Sequence, residues 1–197
     1  MSHYTSDGVA RVVAGLIVLG TAALITLSIS KESTARRSQG LAAFESMMPV
    51  FQHPRCLNCH RSDFPRIREQ GQRHYPRVRP ANEGMGAGGE QCLLCHKANN
   101  NQLTRIPGAQ KWRMAPYSMS WDGLDAADIC GNLKDREMNG DRDPAAIKHH
   151  LEHDKLVHWA WSPGTPRTTP PISYRKLLDL ADQWVKAGAP CPKPPDE

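Results

Sequence analysis

The longest hydrophobic run lies near the start of the chain. Val12 to Ser30 reads VVAGLIVLGTAALITLSIS, nineteen residues without a charge. As a helix it would extend about 28 Å, close to the roughly 30 Å hydrocarbon core of a bilayer. The hydrophobic stretch of a cleaved signal peptide is typically shorter, about 7–15 residues. Residues 1–30 are therefore expected to be an uncleaved anchor, and a signal sequence cut near Ser28-Ile29-Ser30 is the alternative. Residues 31–40 (KESTARRSQG) read as a linker, and the folded domain is expected over 41–197.

Beyond Leu41 the apolar positions are sparse and helical in spacing. Leu41, Phe44, Met48 and Phe51 recur at three- and four-residue steps, which predicts a short helix ended by Pro54. Residues 61–80 carry six Arg and three Pro and read as loop. Asp125 is a cap for a helix to about Lys134, and Asp143 with Pro144 opens another to about His153. Pro163 to Pro171 reads as loop. Ser173 caps a last helix with Leu177, Leu178, Ala181, Trp184 and Val185 on one face, stopped at Gly188. No strand pattern is convincing, and only a cysteine motif recurs. The expected class is mainly α with extensive loops, one compact domain behind one N-terminal transmembrane helix.

Composition complicates that picture. Only 39% of the 197 residues are hydrophobic and 6% aromatic, with 16 Pro, so the side chains alone make a thin core. The net charge of +5 suits an acidic partner or an anionic membrane surface. No nucleic-acid partner is expected.

The motif Cys56-Leu57-Asn58-Cys59-His60 returns as Cys92-Leu93-Leu94-Cys95-His96. In C-x-x-C-H the two thiols add across the vinyl groups of a haem, and the adjacent His faces the iron. Two C-x-x-C pairs also describe a tetrahedral zinc site, but that leaves a His after each pair unexplained. A thioredoxin-like pair lacks a βαβ context. Two covalently bound c-type haems are thus expected, and they would supply the apolar mass the core lacks. The two His are only 36 positions apart, so both haems belong to one domain. Haem attachment occurs on the exported side in bacteria, which predicts the inner membrane with the haem domain in the periplasm. This overrides the flanking charges, because Lys31, Arg36 and Arg37 follow the apolar run and only Arg11 precedes it. In an oxidising compartment the leftover Cys130 and Cys191 should pair.

The sixth iron ligands are sought among His and Met. His74 lies between the motifs in QRHYPRVRP. His150 falls on the Ile147 side of its helix, whereas His149 and His153 point away. Met119 is the main alternative, and Met85 a further one. Arg61, Arg66, Arg68, Arg73, Arg77 and Arg79 are candidates to neutralise haem propionates or to dock an acidic partner.

These motifs resemble those of c-type cytochromes. The stretch CLNCH…RHY…CLLCH is similar to the haem-binding segment of the small dihaem subunit of periplasmic nitrate reductase. That resemblance implies two His ligands per iron and points to His74, although His53 stands too close to Cys56 to be the other distal ligand. Pro107-Gly108-Ala109, Ser118-Met119, Trp121, Ile129-Cys130, Leu133-Lys134-Asp135, Trp159, Trp161 and Gly188-Ala189 resemble a family of small predicted dihaem cytochromes. Some of these are labelled subunits of isoquinoline 1-oxidoreductase, which implies a dehydrogenase partner. The C-terminal QWVKAGAPCP is similar to the last helix of many single-haem domains. The expectation is an electron carrier rather than an enzyme, serving a respiratory, photosynthetic or dehydrogenase partner within a larger complex. The alternatives are a dihaem peroxidase-like enzyme and a structural haem subunit of a membrane complex.

Overall fold

The computed structural model describes residues 30–63, 65–67, 72–74, 78 and 91–194. The architecture is mainly helical. The first helix, α1, runs over 30–51 in its described part. Residues 31–40, expected as a linker, are helical too, and 31–39 are exposed. Burial begins at Gly40, where an added Cβ would come within 2.5 Å of the Ala187 Cβ. The next two turns bury Ala43, Phe44, Met47, Met48, Val50 and Phe51, the stripe that a 3.6-residue period puts on one face. Of the 12–30 run, all but Ser30 lies outside the described residues. Among the described residues no helix is long and apolar enough to cross a membrane.

Pro54 does more than end α1. It opens α2 (Pro54–Leu57), with His53 as N-cap. A two-residue antiparallel ladder follows, β1 (Arg66–Ile67) with β2 (Gln72–Arg73), where no strand was expected. Then come α3 (Cys92–Cys95), a 3-10 turn at Tyr117–Met119, α4 (Ala126–Lys134), α5 (Pro144–His153), α6 (Lys155–Trp159) and α7 (Tyr174–Lys186).

The three foreseen caps are in place. Asp125 accepts from the Asp128 amide at 2.9 Å, Asp143 from Ala146 at 2.7 Å and Ser173 from Lys176 at 3.2 Å. The short α6 was not foreseen. Asp154 ends α5 and caps α6, accepting from the Leu156 amide at 2.8 Å. Gly188 takes φ +84 beyond α7, and the Ala189 amide reaches back to the Trp184 carbonyl at 2.8 Å. This left-handed ending favours Gly because a Cβ would be strained there.

α7 buries Leu177, Leu180, Ala181 and Trp184, and Val185 packs half-buried against the same core, so only Leu178 gives way, to Leu180. Its face meets α1 and α4 in one core. A file of rings crosses that core: Trp184 to Phe44 at 5.5 Å, Phe44 to Phe51 at 6.0 Å, Phe51 to Trp121 at 5.5 Å. Cys130 of α4 is bonded to Cys191, with Cα atoms 5.5 Å apart. The Trp184 indole N–H donates to the Pro190 carbonyl at 3.0 Å, so the chain after α7 is tied down twice.

Candidate functional site

The first motif is wound onto the end of α2. The Cys59 and His60 amides both donate to the Cys56 carbonyl at 3.0 Å. A later loop is pinned against it through main-chain bonds: the Ala115 amide donates to the Cys59 carbonyl and the Trp121 amide to the His60 carbonyl, each at 3.0 Å. That loop presents the Met119 carbonyl 2.8 Å from His60 Nδ1. A carbonyl can only accept, so Nδ1 carries the proton and Nε2 keeps its lone pair, the tautomer suited to metal ligation. The imidazole lies flat on the Trp121 indole, 3.6 Å between centroids and 9° from parallel.

The second motif repeats this arrangement. Its first four residues form α3, and the His96 amide closes onto the Cys92 carbonyl at 2.9 Å. His96 Nδ1 donates to the Pro107 carbonyl at 2.7 Å, and its ring stacks on Trp112 at 4.3 Å and 1°. The supporting loop folds tightly. Asn99 pairs with Ala109, and at Gly108 an added Cβ would come within 2.4 Å of the Lys97 carbonyl oxygen, which only Gly avoids.

The sequence-predicted ligands fall beside these two His. The His74 ring centroid is 5.9 Å from that of His96, tilted by 40°. His150 lines a cavity of about 370 Å³ together with Cys56, Cys59 and His60. Pockets that hold small organic molecules and cofactors occupy about 300–1,000 Å³. Val50, Phe51, Leu133, Ile147, Leu151, Val157 and Leu177 supply the apolar wall. His150 Nδ1 stands 3.4 Å from an Asp154 carboxylate oxygen, while His149 and His153 stack on each other on the exposed side of α5. Met119 also lines the cavity, but its backbone sits behind the His60 ring, on the Nδ1 side. Met85 lies outside the described residues.

Burial governs the ionisation of the site. It pushes the Cys56 and Cys59 thiols up to about 12; neighbouring Cys59 adds to the rise at Cys56 and neighbouring Cys92 to that at Cys59, with Arg55 opposing in part. Burial also drives His60 down to about 4, against its bond to the Met119 carbonyl, and lowers His96 and His150. Three imidazoles are thus held neutral, the form that ligates.

Of the six candidate arginines, the structure describes the side chains of Arg61 and Arg66. Arg61 donates to Asp63 at 2.7 Å and Arg66 also pairs with Asp63, so both already hold a carboxylate of the chain. Arg68, Arg77, Arg79 and the side chain of Arg73 lie outside the described residues. The cations along the cavity are instead Arg55, Arg113 and Arg142. Trp112 and Trp121, which back the two His, were likewise missed. The supporting carbonyl lies 59 positions from its His in one unit and 11 in the other, so no fixed period reveals the recurrence.

A haem fits this donor set. Each motif offers two thiols and an imidazole with Nε2 available, and the first adds an apolar cavity with a further His on its wall. Among the described residues no three His, Cys, Asp or Glu side chains come together to hold a metal ion. In comparisons with protein-family models, curated proteins and solved structures, none matches this chain.

Proposed function

We propose that this chain is a dihaem c-type cytochrome that transfers single electrons. The observation that carries the reading is the duplicated support of His60 and His96: in each, Nδ1 is spent on a backbone carbonyl and the ring is clamped on a Trp. Such support fixes a ligand's tautomer and orientation and raises its basicity. Cys56 and Cys59 would hold the first haem in the cavity, with His60 and His150 supplying nitrogen to its iron. Cys92 and Cys95 would hold the second, with His96 and His74. The 5.9 Å between the His74 and His96 ring centroids supports that pairing. In this reading Met119 serves as the carbonyl behind His60, not as an iron ligand.

The iron supplies the one-electron chemistry; the protein's part is to hold and insulate it. With two His ligands apiece neither iron keeps an open position, which favours transfer over a peroxidase-like activity. The 12–30 run would hold the domain at the periplasmic face of the inner membrane, beside a redox partner.

Pyridine haemochrome analysis of the denatured protein tests the reading. The expected result is two c-type haems per chain that resist acid-acetone extraction. Extractable haem, or zinc without iron, would overturn it.

A further inference from the structure

Arg55 occupies an unusual place for a cation. It is 5% exposed, sits in α2 immediately before Cys56 and lines the first cavity. Its guanidinium carbon lies 5.7 Å from the centre of the Trp159 ring, within the range of a cation–π contact. Trp159 stands edge-on to Trp112 at 4.8 Å and 78°, and Trp112 is the ring stacked on His96. One buried charge and two indoles therefore bridge the distance between the first motif and the second. Trp159 is itself fixed. Its indole N–H donates to Asn100 Oδ1 at 2.9 Å, and the same oxygen accepts from the Gly108 amide at 3.0 Å. The loop that supports His96 thus also orients the ring that faces Arg55.

We infer that Arg55 biases the transferred electron toward the first haem site, its charge favouring the reduced iron there while Trp159 holds that charge in place. The inference rests on the dihaem reading above. The step concerned is a one-electron exchange between the two irons: one is oxidised as the other is reduced, and no bond or proton moves. A cation favours the state with one positive charge fewer, and burial strengthens the effect because the low-dielectric surroundings screen it poorly. Asp154 lines the same cavity and acts in the opposite sense, but it also approaches His150 Nδ1 and caps α6. Arg55 is a positioning residue in this account: it sets an equilibrium without ligating the metal.

Potentiometric titration of the full-length haem-loaded protein, followed by visible absorbance, tests this. The haemochrome count is taken first on each variant, so that loss of haem is charged to the proposed function and not to Arg55. His150→Ala identifies the spectral component of the first haem. Arg55→Gln is expected to lower that midpoint by about a tenfold change in the oxidised-to-reduced ratio, about 59 mV for a one-electron couple, and to move the second haem less. Arg55→Lys, which keeps the charge, should stay within about threefold of wild type, about 28 mV. Trp159→Leu should fall between the two. No shift in Arg55→Gln, equal shifts of both haems, or a Lys variant as low as the Gln variant would each overturn the inference. Should Arg55→Gln fail to fold, Trp159→Leu decides: a lowered first midpoint supports the role and an unchanged one overturns it.

Discussion

The His60 imidazole lies parallel to the Trp121 indole, 3.6 Å from it. Trp121 in turn meets Phe51 of the core, so the ring that backs the site is the last of the file Trp184–Phe44–Phe51–Trp121. The site is therefore braced by the fold's interior rather than by its own loop alone. On the dihaem reading, a ligand held this way would need little reorganisation when the charge of its metal changes.

His150 and Met119 can be told apart by spectroscopy. His150→Ala should convert one of the two haems to a high-spin or weaker-field form, because a strong-field nitrogen is lost. Met119→Leu should leave both low-spin, since the carbonyl that His60 uses is unchanged. Near-infrared and electron-spin spectra showing a methionine ligand lost from Met119→Leu would reverse the assignment. His74→Ala should alter the other haem, and a double variant should alter both.

Asn139, on the wall of the first cavity, offers a stability test. It is 2% exposed, its Nδ2 donates to the carbonyls of Leu133 and Arg142 at 2.7 and 2.8 Å, and its Oδ1 accepts from the Arg142 amide. Asn139→Ala should cost about 2–4 kcal/mol in denaturant unfolding, since it leaves buried backbone groups without partners. A loss below about 0.5 kcal/mol would mean that water replaces the side chain.

The Cys130–Cys191 bond closes a loop across 61 positions. Replacing both with Ser should destabilise the domain by about 2–4 kcal/mol. The change should also free the segment after α7, seen as faster amide exchange at Ala189 and Cys191. Two alkylatable thiols at these positions in the unreduced native protein would contradict the bond outright.

Asp63 predicts a limb of acid sensitivity. Burial alone would raise its carboxyl, but the Arg61 hydrogen bond and the charges of Arg61 and Arg66 outweigh it and hold the group below its ordinary range. A depressed carboxylate contributes stability above its unfolded value, and that contribution disappears as pH falls through the lower folded value. Wild type should therefore lose stability below about pH 4 more steeply than Asp63→Asn. The difference should be small, because the side chain is 39% exposed and its pairs are partly screened. Identical acid limbs would show that the pairs contribute nothing.

Local chemistry is legible in the sequence; remote partnership is legible only for Cys130 and Cys191, the two cysteines left over by the motifs. Asp125, Asp143 and Ser173 cap their helices because a cap is written within three residues of its helix. His150 was read to the cavity side of α5 by angle alone. Asp154 escaped notice because α6 is too short to show a period and its cap belongs to the end of α5. Leu178 falls about one 100° step from the face centred on Leu177, Leu180, Ala181 and Trp184, whereas Val185 still packs against that core. Trp112 and Trp121 could not be tied to their His, since the chain between varies in length. An Arg beside a Cys reads as a solvated charge, and nothing local marks Arg55 as buried.

The exposed half of α1 has a mechanical consequence. Residues 30–39 continue the same helix whose later turns are locked into the core, and at 1.5 Å per residue they form a strut of about 15 Å. A coil of that length would let the domain tumble on a leash; a helical strut transmits direction. Whatever fixes the chain at Ser30 therefore also fixes which way the two motifs face, and a Gly-Gly insertion near Ser38 would uncouple the one from the other.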